Sequence, residues 1–364
     1  MWFTFSLVYI LVSATSSFSY GFNVESLPTM VAKEIADIFC ENELKKYGME
    51  KNTQFMDLCR GAPIPFLHGV EGFKRGLEHC KENFKCHRWN CTTDEDHGFK
   101  LFGTGMARAS RESAIMIAMT SAGIVEHVTN QYDSGKRDRV RVSRDDCIKI
   151  NSRRPRHPEE YVSVHDCNAD VVKGEIQAQK MMTTWIQGLK ANEKEMKMNE
   201  HNAAVGRMAV RVNMRKICKC VGLSGACNAR LCFQRMKQLD VSTKWLRHRY
   251  DNAQKVQASK RAKRDGTRPL VTVERSATPA KDDLIYLLNS PNYCNYDTST
   301  GSLGTKGRFC NRCGNGVGSC DQLCCGRGHQ EYQVTRTKAC NCSLVEFQMD
   351  CQQCEEKLVM YRCK

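Results

Sequence analysis

The sequence has no apolar run long enough to cross a bilayer comfortably, which takes about 20 residues. The nearest candidates are residues 2–12 and Ala114–Val125. The second is broken by Thr120 and Ser121 and reads as a buried helix. Acidic side chains are also short, with 40 Asp and Glu against 55 Lys and Arg and a formal net charge of +15. The amino-terminal run lacks a basic flank. It is nevertheless followed by Ser13, Ala14, Ser16 and Ser17, and reads as a secretory signal over residues 1–20 with cleavage near 16–20. The carboxy-terminal stretch has little apolar material, so burial alone cannot hold it together.

Cysteine is abundant, with 22 among 364 residues. The spacings Cys310-x-x-Cys313 and Cys351-x-x-Cys354 would suit a metal in a reducing compartment. Behind a secretory signal they read as disulfides, with no metal. Two sequons, Asn90-Cys91-Thr92 and Asn341-Cys342-Ser343, agree with passage through the secretory pathway. A basic secreted chain rarely meets nucleic acid. The clusters at Lys136–Arg141, Arg153–Arg156, Arg211 to Lys219 and Lys260–Arg264 point to sulphated polyanions, that is, heparan sulphate proteoglycans. Arg261-Ala262-Lys263-Arg264 also has the form cut by secretory-pathway proteases, although a plain basic linker accounts for it.

Helical periodicity marks the first two-thirds. Phe66, Leu67, Val70, Phe73, Leu77 and Phe84 predict a helix over 65–84. A second opens at Ser110, runs to about Tyr132 and is apolar on most sides, as a central bundle helix is. Residues 133–166 are basic, contain Pro155 and Pro158, and read as loop. One long helix is expected from about Asp170 to Met214, with Ile176, Met182, Trp185, Ile186 and Leu189 inward. His201 lies near its end without partner motifs and reads as structural. The hydrophilic stretch from about Tyr250 to Arg268 reads as linker.

Four cysteines, Cys218, Cys220, Cys227 and Cys232, bracket Ser224. If the outer two and the inner two pair, nested bridges hold Ser224 near the tip of a short hairpin, each contributing about 2–3 kcal/mol. Three readings compete for Ser224: a turn serine, a hydrolase nucleophile and an acceptor for a covalent lipid. Gly222-Leu223-Ser224-Gly225-Ala226 nearly spells a nucleophile elbow but lacks its final glycine, and cysteines stand where a strand and long helix are needed. Between Cys342 and Cys351, Leu344, Val345, Phe347 and Met349 crowd a span too short to bury them all. They suggest a contact patch.

Several runs carry a resemblance to the Wnt family of secreted, lipid-modified signalling glycoproteins. The bracketed serine is similar to that family's C-K-C-H-G-x-S-G-S-C, with Val221 and Ala226 departing from it. Arg88-Trp89-Asn90-Cys91-Thr92, Asp283-Leu284-Ile285-Tyr286, Ser290–Cys294, Gly301–Asn311 and Cys320–His329 match in order. The resemblance implies an α+β, disulfide-rich fold. A helical N-terminal domain over 21–240 would carry a protruding "thumb" hairpin at 218–232. A linker over 241–280 would lead to a small cysteine-rich β-hairpin domain over 281–364, with an "index finger" at 340–354. It implies the pairs Cys80–Cys91, Cys147–Cys167, Cys218–Cys232, Cys220–Cys227, Cys294–Cys325, Cys310–Cys320, Cys324–Cys363, Cys340–Cys354, Cys342–Cys351 and Cys40–Cys59. Cys86 and Cys313 remain, either paired or free.

It further implies glycans on Asn90 and Asn341 and a palmitoleate-like mono-unsaturated acyl group on Ser224. Receptor contact would run through Leu223, Ser224, Leu344, Val345, Phe347 and Met349. Expected partners are a Frizzled-type receptor, a low-density-lipoprotein-receptor-related co-receptor, a membrane-bound acyltransferase and an export carrier. The expected role is a non-enzymatic ligand of the extracellular space and matrix. A purely heparin-binding matrix protein and a serine hydrolase using Ser224 are the alternatives.

Overall fold

The computed structural model describes residues 29–46, 53–91, 109–139, 161–163, 171–189, 191–221, 229–264, 266–297, 299–312, 314, 316–345 and 348–364. Helices α1 (Thr29–Lys46), α2 (Thr53–Gly61), α3 (Pro63–Phe84), α4 (Arg111–Arg139), α5 (Val171–Gly188) and α6 (Glu193–Val212) form the amino-terminal bundle. Helix α4 is its axis, with every residue from Glu112 to Thr129 buried. Ser110 caps it, its hydroxyl accepting from the Ser113 amide at 3.2 Å. Helix α3 lies directly against α4 because Gly72 and Gly76 on one helix meet Gly123 on the other. A Cβ at any of the three would collide with the facing backbone. Phe66, Val70, Phe73, Leu77 and Phe84 fill the remaining space. Phe73 packs edge-on to Trp185 of α5 at 5.7 Å.

The long helix expected over 170–214 is two helices. The chain leaves α5 after Gly188 and restarts at Asn192, whose side chain accepts from the Glu195 amide at 3.0 Å. Within α5, Ile176 is half exposed, while Met181, Met182, Trp185 and Ile186 face inward. Helix α4 also continues past Tyr132 to Arg139, and residues 161–163 form strand β1. Both lie in the stretch expected to be loop.

The expected linker over 241–280 contains a helix and two strands. Helix α7 (Leu239–Asp251) buries Leu239 and Leu246, and strand β4 (Gln254–Ala258) pairs with β5 (Leu270–Thr272) and β6 (Ile285–Tyr286). Polar residues hide this helix in the sequence. Ser242 and Thr243 are buried because each hydroxyl finds a backbone carbonyl, Ala209 at 3.3 Å and Asp240 at 3.1 Å. The carboxy-terminal region docks on the bundle through Tyr293, whose hydroxyl donates to Glu112 at 3.2 Å, and through the Leu287 and Leu288 amides, both 2.9 Å from Ala109 O.

Beyond Tyr293 the structure is short ribbons held by sulfur. Strands β7 (Tyr296–Asp297) and β8 (Ser302–Leu303) pair, and β9 (Phe309–Cys310) joins the edge of a long hairpin made of β10 (His329–Val345) and β11 (Gln348–Cys363). A single turn of helix, α8 (Cys320–Leu323), completes a small core in which Cys320, Leu323, Cys324 and Cys363 are buried. Among the described residues the structure holds eight disulfides: Cys40–Cys59, Cys80–Cys91, Cys218–Cys232, Cys294–Cys325, Cys310–Cys320, Cys324–Cys363, Cys340–Cys354 and Cys342–Cys351. Cys147, Cys167, Cys227 and Cys313 lie outside the described residues, as do 1–28 with the expected signal.

Candidate functional site: two bridged hairpins

The thumb is built from β2 (Arg215–Val221) and β3 (Ala229–Arg235). They pair antiparallel from Arg215↔Arg235 to Val221↔Ala229, with Cys218 directly opposite Cys232 and bridged to it. Both ends are moored in the bundle. Met214 before β2 and Met236 after β3 pack on the core, and Leu239 three residues further is buried. Helix α6 leads directly into β2, and β3 leads on to α7, so the hairpin begins and ends at the bundle. Strand β1 lies parallel to β3, with Tyr161 beside Arg230 and Ser163 beside Cys232, and so widens the hairpin to three strands. The sequence signal for β1 was Tyr161-Val162-Ser163-Val164, rich in strand-forming residues but too short to stand out. The ladder closes at Val221↔Ala229, so seven residues, 222–228, connect the strands. Leu223, Ser224 and Cys227 belong to that connection and lie outside the described residues.

The finger is far longer than residues 340–354. Strands β10 and β11 pair from His329↔Cys363 to Val345↔Gln348 with one interruption, roughly 50 Å of ribbon. Its base is fixed by Cys324–Cys363, by β9 pairing with Arg362 and Tyr361, and by His329 stacking edge-on to Tyr361 at 5.4 Å. Among the described residues the far end has no such neighbouring strand. There the register shifts by one, and Asn341 and Cys342 face the single residue Cys351. Asn341 takes the left-handed conformation the bulge requires, with φ 46°. The bulge seats Cys342 against Cys351, and one step below it Cys340 reaches Cys354 on the diagonal. Glu346 and Phe347 join the strands. Met349 beside them is 68% exposed. Phe347 lies outside the described residues, and of Leu344 and Val345 only the backbone is described.

The remaining expected residues are placed as follows. Asn341 is exposed, its amide donating to Gln352 Oε1 at 3.1 Å. Asn90 is half-buried between Trp89, which packs on Phe84 at 5.1 Å, and Cys91, which is bridged to Cys80. His201 is tied to the Asp283 carbonyl at 2.8 Å, a structural bond. Cys310, Cys351 and Cys354 each spend their sulfur in a bridge, so neither C-x-x-C offers a thiolate pair. Lys260 to Arg264 are exposed at the turn between β4 and β5. Among the described residues no helix is long and apolar enough to cross a membrane.

Comparison with known proteins gives a consistent result. The family model described as "wnt family" matches residues 48–364. The chain is 33% identical over 314 residues to "Protein Wnt-2b" of Homo sapiens, spanning 84% of this chain and 76% of that protein. It is 34% identical to "Protein Wnt-2b-A" of Xenopus laevis, spanning 84% of each. Among solved structures it is similar to "Human WLS in complex with WNT8A", with a TM-score of 0.56 and 26% identity over 82% of this chain and 94% of the other.

Proposed function

The chain belongs to the Wnt family of signalling ligands, and from that premise we propose that it is secreted, carries a mono-unsaturated acyl ester on Ser224 and grips a Frizzled-type receptor between its two hairpins. The observation that carries this reading is the register of the thumb. A three-stranded, disulfide-bridged support anchored at both ends leaves a seven-residue connection containing Ser224 at its far end. A stiff arm of that kind suits a group offered to a partner. Ser224 is then the substrate of an enzyme, and the chain itself is a ligand without catalytic activity.

Acylation moves a fatty acyl group from an activated thioester to Ser224 Oγ. The thioester bond breaks, the ester forms, and the hydroxyl proton leaves with the released thiol. Each buried methylene of the chain contributes about 0.8 kcal/mol. A long acyl chain in a receptor groove therefore offers on the order of 10 kcal/mol, more than the side chains of a finger tip supply. The exposed Met349 and its neighbours Leu344, Val345 and Phe347 would touch the opposite side of the receptor domain, with Leu223 beside the acyl group. A free lipid makes the protein adhere to membranes. A membrane-bound acyltransferase and a WLS-type export carrier are the partners this requires, the latter supported by the likeness to a WLS-bound relative. The basic surface suits heparan sulphate proteoglycans of the matrix, and a low-density-lipoprotein-receptor-related co-receptor completes the set.

Mass spectrometry of the Cys220–Cys227 peptide from secreted protein tests the modification. The expected result is an acyl ester on Ser224. Ser224→Ala should abolish binding to the receptor's cysteine-rich domain while heparin binding and the thermal transition stay unchanged. Full receptor affinity in a chain with an unmodified Ser224 would sink the reading.

A further inference from the structure

The run Lys260-Arg261-Ala262-Lys263-Arg264 holds two lysine–arginine pairs with one alanine between them. The structure presents it at the tip of a hairpin. Strand β4 ends at Ala258, which is paired with Leu270 at the start of β5. Beyond that pair the Ser259 amide donates to the Pro269 carbonyl and the Lys263 amide to the Thr267 carbonyl, both at 2.8 Å. The foot of the hairpin is firm. Val256 and Thr272 face each other and are buried, and β4 is paired on its other edge with β6. All five residues from Lys260 to Arg264 are exposed. Among the described residues no ion pair or side-chain hydrogen bond holds any of the four basic side chains.

An endoprotease takes its substrate as an extended strand, so a turn must open before it is cut. Opening costs little here. The Lys263–Thr267 bond and the bond from the Gly266 amide to the Lys263 carbonyl, at 3.0 Å, fold the tip. None of the described residues from 259 to 269 is buried, so opening exposes no apolar core and water replaces the lost bonds. Exposed loop tips of this kind are where nicking concentrates. The side chains add direction. Four cations without partners suit the acidic subsites of an enzyme that reads a guanidinium at the scissile carbonyl and an ammonium one residue before it.

We propose that this tip is a processing site for a serine endoprotease of the secretory pathway with acidic subsites, which cuts the backbone after Arg261 or Arg264. The peptide C–N bond breaks. Water supplies the hydroxyl of the new arginine carboxyl group and a proton to the new amine. None of the eight described disulfides spans the tip: three lie before it and five after it. The docking surface does span it. Asn202 bonds to Ile285, Glu112 accepts from Tyr293, Arg249 pairs with Asp282, and Arg308 donates to the Lys85 and Arg88 carbonyls at 2.9 and 2.8 Å. The cut protein therefore stays folded as two chains, with the thumb on one and the finger on the other. This processing is independent of acylation at Ser224.

The test is made on the full chain secreted from cells and run in SDS with reductant, so that every bridge is broken. The expected result is two fragments, the smaller carrying the finger. Its amino terminus, read by sequencing, should follow Arg261 or Arg264 directly. Before denaturation the two should elute together in size-exclusion chromatography. Arg261→Ala combined with Arg264→Ala should abolish both fragments and leave one full-length band. A peptidyl-arginine chloromethyl ketone added to cells expressing the wild-type chain should do the same, and it decides the matter should the variant not be secreted. Wild-type protein that runs as a single band, fragments that persist under the inhibitor, or a smaller fragment that begins elsewhere would overturn the proposal. An uncut chain whose variant elutes earlier from heparin would assign the tip to a polyanion and overturn it equally.

Discussion

Asn202 and Ile285 exchange two hydrogen bonds at the junction of the bundle with the carboxy-terminal region. Asn202 Nδ2 donates to the Ile285 carbonyl at 2.9 Å, and the Ile285 amide donates to Asn202 Oδ1 at 3.0 Å, both residues being buried. The side-chain amide thus serves Ile285 as a backbone partner on the side where no strand lies. Asn202→Leu keeps the volume and strands both backbone groups of Ile285 in a dry site. The expected cost is about 2–4 kcal/mol, read by denaturant unfolding of secreted protein. A loss no larger than that of an exposed surface substitution would show that water replaces the amide.

Glu112 is the second joint. Its carboxylate is buried and accepts from Tyr250 at 2.9 Å and from Tyr293 at 3.2 Å. Burial, and then the neighbouring carboxylate, push both phenols well above their usual pKa. Either Tyr→Phe change leaves one donor in place and should cost about 1–2 kcal/mol. The double variant should cost more than the two singles together, because the last phenolic donor to the buried carboxylate is gone. Strict additivity in unfolding measurements would refute the joint.

Acid should loosen the fold through two histidines. Burial, then Arg247, holds His87 down at about 4, with Arg308 adding to the effect and Asp251 opposing it. Burial, then Arg75 and His68, does the same to His127, also at about 4, with Glu71 opposing. A depressed folded pKa means the neutral ring is the one the fold accepts. Its contribution is complete above the ordinary value of 6.5 and is lost as pH falls toward 4. Glu126, pushed up by burial, works in the opposite sense near the lower end. Each ring should account for on the order of 1 kcal/mol, since both keep some contact with solvent. Thermal transitions should therefore fall between pH 6.5 and 4, and His87→Gln should flatten part of that slope. An unchanged profile in the variant would clear His87 of the role.

How much of this was legible depended on what the buried faces are made of. Helices α3 and α4 were readable because Phe66 to Phe84 and Ile115 to Val128 keep helical spacing in apolar residues. The break between α5 and α6 also had a signal, Asn192 with Glu195 three residues on, but the apolar pattern runs through it. Helix α7 was unreadable from hydropathy, since Ser242 and Thr243 fill positions that an apolar residue would normally mark. The finger was only partly legible for the opposite reason. Tyr332, Val334 and Val359 are all exposed, so the ribbon has no dry face to impose alternation. Strand β1 exists through its pairing with β3, a long-range contact that local composition does not encode.

The two ends of the finger make opposite predictions for the same chemical change. At the base, Cys324–Cys363 is buried with Cys320 and Leu323 in a small core. Its removal should cost about 2–5 kcal/mol and with it secretion. At the tip, Cys342–Cys351 joins residues nine apart in sequence, and Met349 inside that span is 68% exposed. Cys342→Ser with Cys351→Ser should therefore leave the thermal transition of the secreted protein nearly unmoved. What it frees is the bulge at Asn341 and the orientation of Met349 and its neighbours. If those residues form the second contact with the receptor, the pair of changes should weaken binding roughly tenfold, or about 1.4 kcal/mol. Most of that loss should appear as faster dissociation, because a loosened tip must be ordered on binding and holds less well afterwards. Binding measured by surface plasmon resonance on the receptor's cysteine-rich domain, beside a melting curve of the same sample, separates the two effects. Unchanged dissociation with an intact melt would mean that the finger tip is not part of the grip.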